Sequence, residues 1–176
     1  MGIMRELALA ALLGTVLQAR DRGFGREGEA DRRRDLDVLE GQAAPLIEVD
    51  RWVRGEAVAL KDLRGRVVLL QFCGWWCGPC RGSLRVLRGL LERFRQPGLE
   101  IWTILSPRAA EEAAEFLREA PVPWRVAVDR RGATAGRYRV DSCPDYYLVD
   151  RKGVLRFADL SNREVPRAVE FLLSEK

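Results

Sequence analysis

Residues 67–72 (VVLLQF) form a nearly continuous apolar run that leads directly into Cys73, Cys77 and Cys80. A run without polar alternation is what a central strand covered on both faces requires. Helical spacing then takes over, with Leu84, Leu87, Leu91 and Phe94 at i, i+3, i+7 and i+10. A buried strand that passes through a tight cysteine-bearing turn into an amphipathic helix restricts the chain to an α/β architecture in which helices pack on a sheet.

The rest of the chain fits that frame. Residues 46–49 and 57–60 read as short strands around Gly55, an N-terminal hairpin extension, with Asp62-Leu63-Arg64-Gly65 turning the chain. Residues 99–105 (LEIWTIL) read as a second central strand and residues 124–128 as a third, so that Trp102 and Trp124 belong to the core. Ser106-Pro107 opens a helix, Ser as N-cap and Pro at the first position, with Glu111 and Glu112 near its positive end. Residues 146–149 and 154–158 flank Asp150-Arg151-Lys152-Gly153 as a hairpin. Ser161-Asn162-Arg163-Glu164 reads as a capping box before a helix with the core stripe Val165, Ala168, Val169 and Leu172. The expected fold is α/β, a central mixed sheet with helices on both faces, over residues 45–176.

Two segments precede it. Residues 7–19 (LALAALLGTVLQA) are an apolar run of 13 residues, shorter than the roughly 20 a spanning helix needs and suited to a signal-peptide core. That reading places the protein outside the cytoplasm, periplasmic or anchored facing out, with the segment either cleaved or kept as an N-terminal membrane attachment. The alternative is an amphipathic N-terminal helix on a cytoplasmic protein. Residues 20–44 mix Arg, Asp, Glu and Gly with few apolar residues and read as a charged, solvated linker.

Composition removes several chemistries. With no histidine, Ser-His-Asp and Cys-His catalysis is excluded, as are most zinc and copper sites. The net charge of +4 is dispersed, and no basic face alternates with aromatics, which argues against nucleic acid as a partner. No cofactor is called for. The four cysteines, at 73, 77, 80 and 143, are too few and too clustered for a stapled scaffold.

In Trp76-Cys77-Gly78-Pro79-Cys80 the first sulfur falls at a helix N-terminus, where free amides and the helix dipole favour a thiolate. The second lies one turn on, placed to close a disulfide and displace a bound partner. Cys77 is therefore the candidate nucleophile and Cys80 the resolving thiol, with Gly78 and Pro79 shaping the turn. Half of a zinc site is the competing reading, and it lacks a second ligand pair.

Residues 41–176 resemble the TlpA/ResA-type branch of the thioredoxin superfamily. The resemblance rests on Gly41-Gln42-Ala43-Ala44-Pro45, on Leu60-Lys61-Asp62-Leu63-Arg64-Gly65-Arg66-Val67-Val68, on Gln71-Phe72-Cys73-Gly74-Trp75-Trp76-Cys77-Gly78-Pro79-Cys80, and on Cys143-Pro144-Asp145-Tyr146-Tyr147-Leu148-Val149-Asp150-Arg151-Lys152-Gly153. It implies a thioredoxin-like fold and a thiol–disulfide oxidoreductase, reducing protein disulfides with electrons from a membrane thiol donor of the DsbD or CcdA kind. It also implies that Pro144 is a cis-proline facing the cysteine pair and that Trp76, Gly78, Pro79, Cys143 and Pro144 line the substrate groove. The sequence departs from the family at Gln71, where relatives carry Asp or Asn, at Ser83, where some carry Glu, and at Arg85, where a proline is usual. Cys73 and Cys143 also replace other residue types and are candidate accessory thiols. Cys73 reads first as a small buried hydrophobe. A peroxidase of the related peroxiredoxin group would need Thr at position 74, which is Gly. The remaining alternative is a thioredoxin-fold binding module whose cysteines hold a metal or an iron–sulfur cluster.

Overall fold

The computed structural model describes residues 23–74, 76–96, 98–106 and 113–175. The apolar run at 7–19, Trp75, and the helix opening at Pro107 with Glu111 and Glu112 lie outside the described residues. Among the described residues no helix is long and apolar enough to cross a membrane.

The apolar run is strand β2 (Val67–Cys73), all seven residues buried, as expected of a central strand. Strand β3 (Leu99–Leu105) runs parallel to it from Val67↔Leu99 to Cys73↔Leu105. On its other side β5 (Asp145–Val149) pairs antiparallel, from Val68↔Val149 to Phe72↔Asp145. Strand β4 (Arg125–Val128) adds parallel to β3, β1 (Arg51–Arg54) closes that edge antiparallel to β4, and β6 (Leu155–Phe157) closes the other edge against β5. The sheet order is β1-β4-β3-β2-β5-β6.

Strand alternation sends the side chains of β2 into two cores. Val67, Leu69 and Cys73 join a core with α2 (Gly78–Phe94), α3 (Ala113–Glu119) and α5 (Val165–Ser174). Val68, Leu70 and Phe72 join Leu36 of α1 (Ala30–Asp37) and Tyr138 of α4 (Ala133–Tyr138) on the opposite face. The stripes expected on α2 and α5 face the first core: Leu84, Leu87 and Leu91 are buried, as are Val165, Ala168, Val169 and Leu172. Between β5 and β6 the chain turns as a hairpin. Asp150 Oδ1 accepts the N–H groups of Lys152 and Val154, both at 2.9 Å. Gly153 there has φ +72, and a side chain on it would collide with the guanidinium of Arg64.

Three expectations are corrected. The N-terminal hairpin does not form, because residues 46–49 and 57–60 carry no strand and β1 falls between them. The backbone of Glu48 is bonded instead to Thr134 at the start of α4, its N–H donating to Oγ1 at 2.8 Å and its carbonyl accepting from it at 2.6 Å. The single strand that follows pairs with β4.

Residues 23–44 are not a solvated linker either. Phe24 packs edge-on against Phe157 with ring centres 4.9 Å apart, Leu36 is fully buried, and Arg26 Nε bonds Glu40 Oε1 at 2.6 Å. Glu40 also accepts the Ala158 N–H at 2.9 Å. The charges that suggested solvation largely neutralise one another across a strap, leaving Phe24, Leu36 and Leu39 as apolar anchors.

The capping box is absent as well. The Ser161 N–H, which Glu164 would have capped, donates to the Gly25 carbonyl at 3.0 Å, while Glu164 pairs with Arg167 at 2.7 Å. A short 3₁₀ turn, Asn162–Glu164, leads into α5 in its place.

Candidate active site

Because β2 ends at Cys73 and α2 begins at Gly78, the turn between them lies at one end of the sheet. Cys77 is the N-cap of α2, and its sulfur accepts the Cys80 N–H at 3.0 Å. Cys77 and Cys80 are joined in a disulfide with their Cα atoms 5.2 Å apart. The Cys77 N–H donates to the Gly74 carbonyl at 3.1 Å, which closes the turn. Cys77 is 6% exposed and Cys80 fully buried, so an incoming sulfur reaches Cys77 first. Pro79, in the first turn of α2, gives up no intrahelical bond.

Trp76, at 46% exposure, is a large apolar side chain left open beside the pair. A Cβ placed on Gly74 would come within 2.7 Å of the Trp76 ring, so glycine at 74 is what lets the indole lie over the strand end. The Cys143–Pro144 bond is cis, and the Cys143 carbonyl oxygen lies 3.3 Å from Cys77 Sγ. The structure thus brings Trp76, Cys77, Gly78, Pro79, Cys80, Cys143 and Pro144 to one end of the sheet.

Cys73 and Cys143 are free. Burial pushes the Cys73 thiol far up, the nearby Cys143 adding and Arg81 opposing. Cys143 is partly exposed; burial and then Asp145 raise its thiol, while the Gly74 N–H holds it down. Among the described residues no group of three or more His, Cys, Asp or Glu side chains is arranged to hold a metal ion.

Beneath the pair lies a network that sequence reasoning did not assemble. Gln71 points to the α2 face of β2. Its Nε2 donates to Ser83 Oγ at 3.0 Å and to the Tyr146 hydroxyl at 3.2 Å. Its Oε1 accepts from Thr103 Oγ1 at 2.9 Å, and Thr103 accepts the Trp124 indole N–H at 2.9 Å. Ser83 Oγ in turn donates to the Cys80 carbonyl at 2.7 Å. Burial pushes the Tyr146 hydroxyl up to about 12, so every member stays neutral at ordinary pH. The available signal was Gln71 itself: a polar side chain in an apolar central strand demands partners.

The carboxylates lie on the far side of the cis-proline loop. Asp145 accepts from the Ser142 hydroxyl and, at 3.1 Å, from the Asp141 N–H, which orders residues 141–145. Burial above all raises the Asp145 carboxyl, Asp141 adding to the shift and the Ser142 and Asp141 bonds opposing it. Asp159, 2% exposed, is pushed up to about 7 by burial and then by Asp145, Asp141 and Glu27, with Arg33 opposing.

A family model described as the AhpC/TSA family matches residues 40–158. The chain belongs to the AhpC/TSA family. It is similar to the thiol-disulfide oxidoreductase ResA of Bacillus cereus, 29% identical over 151 residues that span 86% of this chain and 83% of the relative. A DsbE-type thiol:disulfide interchange protein of Chlorobium tepidum superposes with a TM-score of 0.69 at 26% identity, over 76% of this chain and 96% of that one. A thiol-disulfide isomerase of Corynebacterium glutamicum gives 0.64 at 27%, over 75% and 97%. With the Cys77–Cys80 disulfide, these likenesses make this AhpC/TSA chain a thiol–disulfide oxidoreductase of thioredoxin-like fold, as its resemblance to the TlpA/ResA branch implied.

Asp159 gives this site a pH signature. Its folded value is raised from 3.8 to about 7, so its contribution to stability is complete below about pH 4 and is lost as the pH rises through about 7. Unfolding free energy should therefore fall between pH 5 and pH 8 by an amount on the order of a few kcal/mol, and Asp159→Asn should flatten that fall. Urea titrations of both proteins at the two pH values test this; identical pH slopes would contradict it.

Proposed function

We propose that the protein is a reductase of protein disulfides that works outside the cytoplasm, with Cys77 as nucleophile and Cys80 as resolving thiol. The observation that carries this reading is the position of Cys77 at the α2 N-cap. Its sulfur there faces the Cys80 amide at 3.0 Å, is open at its edge, and has a buried sulfur one turn behind it. Helix amides and dipole favour the thiolate that attacks a substrate disulfide. Cys80 then attacks Cys77, the substrate thiol leaves, and the enzyme disulfide remains.

The substrate is an extended chain. Trp76 offers an exposed apolar face, and the cis-proline loop presents backbone at Cys143 to a strand laid along it by edge pairing. Electrons return the Cys77–Cys80 disulfide to the dithiol, and a membrane thiol protein of the DsbD or CcdA kind is the proposed donor. Export rests on residues 7–19, whose length and small-residue end suit a signal-peptide core. An alkaline phosphatase fused after residue 44 should be active, and persistent inactivity with normal expression would return the protein to the cytoplasm.

Cys77→Ser should abolish reduction of insulin disulfides. Cys80→Ser should still attack and should accumulate a mixed disulfide on Cys77, identified by mass spectrometry of the captured protein. Full reductase activity in Cys77→Ser would refute the assignment.

A further inference from the structure

The sulfur of Cys77 has neighbours on two sides. From α2 the Cys80 N–H reaches it at 3.0 Å, and from the loop before β5 the Cys143 carbonyl oxygen lies 3.3 Å away. The sulfur of Cys143 accepts the Gly74 N–H, and the Gly74 carbonyl accepts the N–H of Cys77 at 3.1 Å. A free, partly exposed thiol is therefore carried by the residue whose carbonyl lies against Cys77, its sulfur tied to the turn that Cys77 closes. On the reading of Cys77 as nucleophile, we propose that Cys143 is a second resolving thiol, which releases substrates bound to Cys77 in orientations that Cys80 does not serve.

Thiol–disulfide exchange needs the attacking sulfur, the attacked sulfur and the leaving sulfur nearly in line. Cys80 approaches from the α2 side and serves a mixed disulfide whose substrate sulfur points away from the helix. A substrate sulfur that lies over α2 leaves for the attack the side of Cys77 on which the Cys143 loop lies. In that case the Cys143 thiol gives up its proton and attacks Cys77 Sγ. The Cys77–substrate S–S bond breaks, the substrate thiolate leaves and takes up a proton, and a Cys77–Cys143 disulfide forms. Cys80 then attacks Cys77, the Cys77–Cys80 disulfide forms, and Cys143 returns to the thiol. One substrate disulfide is reduced to two thiols and one enzyme dithiol is oxidised, with no further oxidant.

The chemistry of the other thiols supports this choice. Cys73 is fully buried and its thiol is pushed far up, which removes it from exchange. The Cys143 thiol is raised by burial and by Asp145, so the second route is slow at neutral pH and quickens as pH rises, in proportion to its thiolate.

The test uses the full chain with Cys80→Ser, reduced, loaded with oxidised glutathione, freed of excess reagent and followed at pH 8 by mass spectrometry with disulfide mapping. The glutathione adduct on Cys77 should decay to a Cys77–Cys143 disulfide at least tenfold faster than the adduct of Cys80→Ser/Cys143→Ser, a nearly isosteric control. The decay should also accelerate from pH 7 to pH 9. Equal lifetimes in the two proteins, with Cys143 still open to alkylation, would overturn the proposal while leaving Cys77 as nucleophile. Failure of both proteins to form any adduct would overturn the assignment of Cys77, and this inference with it.

Discussion

The double pairing of β2 holds the rest of the site in place. Its seven residues are in register with β3, and five of them also pair with β5. The first pairing fixes where the strand ends and hence where Cys77 caps α2. The second runs antiparallel, so β5 begins where β2 ends, and the Cys143–Pro144 loop is delivered to the same point. A slip of one residue between β2 and β5 would turn Tyr146 away from Gln71 and carry the Cys143 carbonyl off Cys77. Packing on both faces makes such a slip costly, because Val68, Leu70 and Phe72 fill one core while Val67 and Leu69 fill the other.

Charge is kept away from the buried side of the sulfur pair. Below Cys80 the partners are an amide, two hydroxyls, a phenol and an indole, joined through Gln71 and Thr103. With Gln71 bonding Ser83, Tyr146 and Thr103, and Thr103 holding the indole, the network needs no ionised member, and Ser83 orders the Cys80 carbonyl at the cost of no buried charge. The ionisable groups are placed behind the cis-proline loop, where Asp145 orders residues 141–145 and Asp159 lies against the strap carrying Glu27 and Arg33. The strap thereby ties the N-terminal part of the described chain to the loop that faces Cys77.

Much of this was legible in the residues. The burial of β2, the stripes of α2 and α5, the antiparallel hairpin and the Cys77–Cys80 pair all follow from local periodicity and spacing, where each residue's neighbours in sequence are also its neighbours in space. What failed depended on distant partners. The Ser161 and Glu164 pattern describes a capping box in isolation, but Gly25, more than a hundred residues away, takes the amide first. Residues 23–44 look solvated because their charges dominate locally, and only the placement of Arg26 against Glu40 shows them neutralised. Gln71 and Ser83 each stood out as departures from the family pattern; that they bond to each other is a fact of the strand–helix packing.

The central claim is that position at the α2 N-terminus, and not exposure alone, selects Cys77 among four thiols. Competitive alkylation of the reduced protein with limiting iodoacetamide, read residue by residue by mass spectrometry between pH 5.5 and pH 8.5, tests it directly. The account predicts that Cys77 is modified first across the whole range, with Cys143 following only toward the alkaline end and Cys73 and Cys80 protected. Faster modification of the more exposed Cys143 at pH 6 would contradict it.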